Sequence, residues 1–175
     1  DGTVGWKTVH ENEFISGGSN FIAATGGTVT CSGNCKIHTF TGPGTFCVSA
    51  VAACAASNVV SYLIVGGGAS GAAGGSNEGG GGGGAGGFRE VKSPVTPFTA
   101  SPLDGYPSSP NRVTVTSQAY PIVVGAGGAS NTSGGSGVAS EKGNPGSNSS
   151  FGGQTGTGGG GGGAAGGPGC APSTR

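Results

Sequence analysis

Runs of alternating polar and apolar residues occupy the part of the chain that precedes the first long glycine tract. Thr28–Thr30, Lys36–Phe40 and Thr45–Ser49 are rich in β-branched and aromatic residues, and segments containing Gly, Asn or Pro separate them. These runs predict a meander of three short antiparallel strands. Val59–Val65 is almost continuously apolar, which indicates a fourth and more buried strand.

Further short strands are predicted after the first glycine tract. Phe88–Val91 alternates in character, and Arg112–Thr116 with Ala119–Val124 predicts a hairpin that turns at Ser117–Gln118. Ser93–Pro110 contains five prolines and is typical of an extended loop without regular pairing. No stretch longer than a few residues has helical periodicity. The chain is therefore predicted to be mainly β, with long loops and no substantial α-helix.

Glycine makes up an unusual share of the chain, with 44 Gly in 175 residues against about 7% in an average soluble domain. The longest tracts are Gly79–Gly84 and Gly158–Gly163. Because glycine loses more conformational freedom on folding than other residues, one interpretation is a flexible linker. The other is a layer of extended polyglycine-II-like helices, whose backbones pack closely because no side chain separates them. Composition alone leaves both open.

The charge balance argues against a nucleic-acid partner, and the shortness of the apolar stretches argues against membrane insertion. Seven basic residues balance seven acidic ones, so no excess of Lys and Arg is available to neutralise nucleic-acid phosphates. The longest apolar stretch is far shorter than the roughly 20 residues that span a bilayer. We therefore predict no nucleic-acid partner and no membrane insertion.

Motifs for catalysis and cofactor binding are weak. Gly66–Gly71 matches the G-x-G-x-x-G pattern of dinucleotide-binding loops, but that pattern must open a helix, and the glycine-rich residues that follow cannot form one. His10 and His38 show no catalytic arrangement, and Arg89 beside Glu90 is interpreted as a solvated ion pair. We therefore predict that the chain is not an enzyme and that it has no catalytic residue and no cofactor.

The five cysteines suggest local disulfides. Cys31 and Cys35 flank a turn, Cys47 and Cys54 lie on either side of a predicted strand end, and four cysteines allow three pairings. Cys170 is then left over, as a free thiol or as a partner for another subunit. There is no C-x2-C spacing, so we predict no metal site.

Four motifs occur in an order that resembles a known family. They are Lys36–Phe46, Val60–Gly68, Ala85–Glu90 and Tyr120–Gly128. In this order they resemble the glycine-rich domain of tailed-phage virion proteins, which occurs in tail fibres and other appendages. The resemblance covers roughly residues 25 to 170. The cysteines depart from it, because they stand where Thr, Ser or apolar residues are expected.

The resemblance implies a structural protein located in the virion. A related architecture at the tip of some long tail fibres stacks glycine helices in a sandwich and displays loops that touch the host surface. This favours the layer of polyglycine-II-like helices. The partners implied are other virion proteins, copies of the chain itself in a homotrimer, and a host cell-surface glycan or protein. Residues 1–25 are then an N-terminal attachment or oligomerisation segment, and residues 26–175 a glycine-rich β domain.

Receptor contacts in such a protein are expected from aromatic and polar side chains on loops. The candidates are Phe98, Leu103, Asp104, Tyr106, Asn111, Asn144, Asn148 and Phe151. The plainer interpretation is that Phe98 and Tyr106 hold their loop onto the strands. Two other functions stay open: a capsid-decorating head fibre or cement protein, and an ice-binding or cell-wall glycine-rich protein. Thr25, Thr28 and Thr30 form no long regular array, which argues against the last.

Overall fold

The chain forms short antiparallel strands arranged in small sheets. A computed structural model describes residues 20–75, 79–131 and 141–164. The strands in these ranges are β1 (Ala23–Thr25), β2 (Thr28–Ser32), β3 (Cys35–Thr39), β4 (Gly44–Ala50), β5 (Val59–Val60), β6 (Tyr62–Val65), β7 (Phe88–Val91), β8 (Val113–Thr114), β9 (Ala119–Ile122), β10 (Ser149–Phe151) and β11 (Gln154–Gly156). Two single 3-10 turns, Ala55–Asn58 and Ser109–Asn111, are the only helical segments described there. The predicted mainly β class is confirmed.

Across the described ranges, no helix has both the length and the apolar character that crossing a bilayer requires.

The largest sheet has the order β1–β4–β9, with all neighbours antiparallel. β2 and β3 form a separate hairpin around Gly33, whose φ of 56° suits glycine. The predicted meander is therefore wrong at its third strand, because β4 pairs with β1 and β9 instead of β3. Residues 23–25, which the predicted boundary places in the N-terminal segment, form β1 and pair with β4 of the β domain. Residues 1–19 lie outside the described ranges.

The hairpin predicted from Arg112 to Val124 is also wrong. β8 pairs with β5, whereas β9 pairs with β4. The connection between them is fastened to β4: the Val48 N–H donates to the Gln118 carbonyl oxygen at 2.9 Å, and the Ser117 hydroxyl donates to the Ser49 carbonyl oxygen at 2.9 Å. The two strands therefore diverge to different partners.

The core lies between the main sheet and the β5–β8 pair. Its buried cluster consists of Phe46, Val48, Val113, Val115 and Tyr120. Phe151 on β10 packs against it edge-on, with ring centroids 5.8 Å from Phe46, 6.1 Å from Tyr62 and 6.0 Å from Tyr120. The β10–β11 hairpin that carries Phe151 was not predicted.

The glycine-rich residues form a bundle of five extended segments. We name them segment A (66–73), segment B (79–87), segment C (125–128), segment D (141–147) and segment E (157–163). Segment A lies in the middle and bonds to the other four. Its donors alternate in a fixed pattern: Gly66, Ala69 and Ala72 donate to segment B, and Gly67, Ser70 and Ala73 donate to segment D.

The spacing of these hydrogen bonds identifies the conformation. Donors to any one neighbour recur every third residue, which is the period of a polyglycine-II-like helix. Segment E donates to segment A from Gly159 and Gly162, again three residues apart. The predicted layer of glycine helices is therefore present in the described residues, where the flexible-linker interpretation does not hold.

In this bundle, glycine is needed because neighbouring backbones lie close together, and not because the backbone adopts unusual angles. No glycine of the five segments has a positive φ. A Cβ built on Gly159 would lie 2.1 Å from the Gly84 carbonyl oxygen, whereas one built on Gly160 would meet nothing within 4 Å. Inward positions of the bundle therefore require glycine, and outward positions do not.

Candidate functional site

The proline-rich segment between β7 and β8 is held on the sheet by two carboxylates. Asp104 Oδ1 accepts the backbone N–H groups of Lys92 at 2.9 Å and Tyr106 at 3.0 Å. Glu90 Oε2 accepts the Ser101 N–H at 3.1 Å and also the Ser101 hydroxyl. Residues 93–112, which we call the anchored loop, are thus ordered although their only strand-like pairing in the described residues is one parallel bridge. The predicted loop is confirmed.

Tyr106 and Arg112 stack at the far end of the anchored loop. The Arg112 guanidinium carbon lies 4.2 Å from the centre of the Tyr106 ring, and its Nε donates to the Tyr106 carbonyl oxygen at 2.9 Å. An arginine over an aromatic face gains from the ring quadrupole and holds the ring in one orientation. Tyr106 therefore presents a flat, positioned ring whose rim is polar.

Arg89 reaches the same loop from β7. Its Nη1 donates to Gln154 Oε1 at 3.1 Å and lies 3.5 Å from Asn111 Oδ1. Gln154 in turn donates from Nε2 to the Pro110 carbonyl oxygen at 2.9 Å. Successive residues of a strand point to opposite faces of the sheet, so Arg89 and Glu90 lie on different faces of β7. The ion pair predicted between them is therefore wrong.

The described part of the chain offers neither Arg89 nor Arg112 a carboxylate partner. Guanidinium groups hold carboxylates and phosphates well because their donors form a planar fork. Two such groups beside Tyr106, Asn111 and Gln154 can therefore bind a polar ligand that carries a negative charge. We call these five residues the arginine–amide cluster.

Tyr62 on β6 holds the backbone of this cluster in place. Its hydroxyl donates to the Asn111 carbonyl oxygen at 2.6 Å. Burial raises the pKa of the Tyr62 hydroxyl above its ordinary value, and the positive charge of Arg89 opposes that shift without cancelling it. The hydroxyl therefore stays protonated and keeps donating at neutral pH.

Large apolar side chains lie exposed on the other face of the β6–β7 pair. Leu63 is 61% exposed, and the register places Val65 directly opposite Phe88 on the same face. Leu103 of the anchored loop is 68% exposed, and Phe98 is 41% exposed with the Lys92 ammonium 5.9 Å from its ring centre. We call these five side chains the apolar face.

The structure divides the predicted receptor contacts into two groups. Phe98, Leu103, Asp104, Tyr106 and Asn111 all belong to the anchored loop, where Asp104 serves to fasten it. The other three candidates make structural contacts: Asn144 of segment D donates to the Ala129 carbonyl oxygen and to Asn131, Asn148 accepts from Gly158, and Phe151 packs against the core. The sequence analysis did not identify Arg89, Arg112 and Gln154 as binding residues. The only signal for them in the sequence is that each is a polar side chain in or beside a short strand.

Comparison with known proteins identifies the family. A family model described as a glycine-rich domain matches residues 39–175. The chain belongs to this glycine-rich domain family. No curated protein and no solved structure gives a significant match to it.

The cysteines of this glycine-rich domain do not form the predicted local pairs. In the β2–β3 hairpin, Cys31 lies opposite Lys36 and Cys35 opposite Ser32, so Cys31 and Cys35 point to opposite faces. All four described cysteines are free, and Cys47 and Cys54 are both exposed. Cys170 lies outside the described ranges. The described His, Cys, Asp and Glu residues include no group of three or more that could hold a metal.

We expect thiol reactivity to follow these exposures. Cys31, Cys47 and Cys54 are exposed and should react readily with a chromogenic disulfide reagent in the native domain, whereas the half-buried Cys35 should react more slowly. Single Cys→Ser variants assign each reaction phase. Native protein in which Cys31 and Cys47 react only after a reducing agent has been added would contradict the free thiols.

Proposed function

We propose that this glycine-rich domain is part of a structural virion protein of a tailed phage, a tail-fibre or appendage component whose anchored loop binds the host surface. The observation that carries the proposal is the arginine–amide cluster, in which two arginines that have no carboxylate partner among the described residues lie beside an oriented tyrosine. The order of the four family-like motifs supports the virion assignment. The proposal includes no enzymatic activity.

The scaffold suits this role because it pre-orders the loop. Asp104 and Glu90 fasten residues 93–112 before any ligand arrives, so little conformational entropy is lost on binding. β7, which carries Arg89 and Glu90, is also continuous with segment B of the glycine bundle. A rigid support of this kind keeps binding residues in position on an exposed particle.

The ligand chemistry follows from the cluster. Guanidinium groups, amides and a flat phenol match a surface glycan that carries carboxylate or phosphate groups. A host protein with an acidic surface loop offers similar groups and is the other candidate receptor. Adsorption competition with soluble acidic glycans separates these two possibilities.

Self-association and assembly with other virion proteins are proposed for the apolar face. Its five large side chains are unusually exposed for a chain with so small a core. A homotrimer would cover them and add buried area to that core. The same face could instead dock on a capsid lattice, which is what a head fibre or cement protein requires. Immunogold labelling of intact particles decides between them, because label at the tail supports attachment and label over the head supports decoration.

Replacing Arg112 with alanine tests the attachment proposal. We expect the adsorption rate of phage carrying the variant to fall about tenfold, since one charge-assisted contact of about 1.5 kcal/mol or more is lost. Thermal stability should change little because Arg112 is exposed.

Lys36→Ala is the matched control, because Lys36 is another exposed cation and lies on β3, outside the anchored loop. It should adsorb like the parent phage. Unchanged adsorption in Arg112→Ala and Tyr106→Ala together would contradict the proposed role of the cluster. If adsorption and stability fell together, the loop would act in packing.

A further inference from the structure

A cavity of about 250 Å³ opens beside the connection from β3 to β4. Its lining consists of Gly27 and Thr28 at the start of the β2–β3 hairpin and the seven consecutive residues 39–45. It shares no residue with the arginine–amide cluster. We call it the Phe40 cavity, after its one aromatic lining residue.

The lining is polar but carries no charge. Four threonines, at positions 28, 39, 41 and 45, contribute to it, and within the described part of the chain their hydroxyls have no hydrogen-bond partner. A hydroxyl can both donate and accept, so it matches a ligand whose own groups do both. Without Lys, Arg, Asp or Glu in the wall, a charged ligand would gain no compensating contact. The cavity therefore favours a neutral ligand rich in hydroxyl groups.

Phe40 supplies an apolar surface within this polar wall. The ring is half-buried and packs on one side against the core cluster. Glycines border it: a Cβ on Gly27 would lie 3.1 Å from ring carbons, and a Cβ on Gly44 would lie 3.2 Å from one. Only glycine fits this close to the ring, and the part of the ring that this backbone leaves uncovered lines the cavity. An aromatic ring with a negatively polarised face attracts C–H groups that carry partial positive charge.

The volume of the cavity matches a ligand of about one ring. Pockets for drug-sized molecules occupy about 300 to 1,000 Å³, and this one is smaller. We infer that the Phe40 cavity binds a single neutral pyranose unit of a glycan, with the C–H face of the sugar on Phe40 and its hydroxyls on the threonines. This deepens the attachment proposal and rests on it for its biological role. It would give the domain a second, uncharged contact with a host glycan.

Ligand-observed saturation-transfer NMR on the whole chain tests this directly. The probes are glucose, galactose, mannose and N-acetylglucosamine, with glucuronic acid as a charged comparison. We expect at least one neutral sugar to receive saturation, and the double variant Thr28→Val/Thr45→Val to weaken its binding about tenfold, as the loss of two hydrogen bonds predicts. Valine keeps the β-branched shape of threonine, so both strands should persist.

Thr30→Val is the control, because Thr30 is an exposed threonine on β2 that does not line the cavity. It should bind sugar like the parent chain. Absence of saturation transfer to all four neutral sugars, or an equal loss in Thr30→Val, would overturn the inference, as would glucuronic acid binding more tightly than they do. These measurements use purified protein without particles, so failed sugar binding is distinguishable from failed adsorption in the Arg112 experiment.

Discussion

Replacing Gly159 with alanine is expected to destabilise the glycine-rich domain by about 3 kcal/mol or more, whereas the same change at Gly160 should be neutral or slightly stabilising. The two residues are neighbours in segment E and have the same local composition. They differ in what surrounds them. A Cβ at Gly159 would lie 2.1 Å from the Gly84 carbonyl oxygen, and one at Gly160 would meet nothing within 4 Å.

The large effect at Gly159 follows from the bundle geometry. Gly159 is buried, its N–H donates to the Gly67 carbonyl oxygen at 2.9 Å, and its own carbonyl oxygen accepts from Gly146 at 2.9 Å. The clash is with backbone, which cannot rotate away as a side chain can. Segments B and E must therefore separate, and the hydrogen bonds between them lengthen or break.

Gly160 has no such constraint. Its φ is not positive and its outward side is open, so alanine fits without strain. Alanine also reduces the conformational entropy of the unfolded chain, which stabilises a protein by about 0.4 to 1 kcal/mol where the native backbone permits it.

Urea unfolding followed by circular dichroism measures both variants. A second pair in segment B repeats the comparison, since a Cβ on Gly83 would lie 2.4 Å from the Ala69 carbonyl oxygen and one on Gly82 would meet nothing within 4 Å. Equal midpoints for Gly159→Ala and Gly160→Ala would mean that the bundle does not pack as described.

The sequence predicted which residues form strands better than it predicted which strands pair. β-branched and aromatic residues mark β2, β3 and β4, and alternating character marks β7, because extended conformation is a local preference. Pairing depends on turns and distant contacts. Ser117–Gln118 lacks the Asn-Gly or Gly-containing chemistry of a two-residue hairpin turn, which explains why β8 and β9 separate there.

The missed β10–β11 hairpin shows the opposite problem. Gly152 and Gly153 have φ values of 54° and 82°, so this turn does use the left-handed backbone that Gly-Gly permits. In a chain with 44 glycines, however, Gly-Gly pairs are so frequent that one of them does not indicate a turn.

The candidate site was predicted only in part. Proline and turn residues revealed the anchored loop, which contains Tyr106 and Asn111. Arg89 and Gln154 join them only through the register of β7 and the β10–β11 hairpin, and neither can be inferred from neighbours in sequence.

Replacing Phe151 with alanine is expected to lower the free energy of unfolding by about 2 to 4 kcal/mol, somewhat less than a fully buried phenylalanine because the ring is half-buried. Its ring meets Phe46, Tyr62 and Tyr120 at centroid distances of 5.8 to 6.1 Å, so the change removes three edge-to-face contacts and leaves a cavity. Phe98→Ala is the matched control. Phe98 is 41% exposed, so we expect a loss below about 1 kcal/mol.

The effect of Phe151→Ala should extend beyond the aromatic core. β10 follows segment D after one residue, and β11 directly precedes segment E. The Ser149 hydroxyl donates to the Val65 carbonyl oxygen at 2.6 Å and accepts the Gly125 N–H at 2.9 Å. The hairpin thus joins the core to segments C, D and E, and its bond to Val65 lies next to the start of segment A. Hydrogen exchange should show the amides of Val48 and Gly159 losing protection together in this variant. If Gly159 stayed protected while Val48 did not, the bundle and the core would unfold as separate units, and the glycine helices would hold together without the sheet.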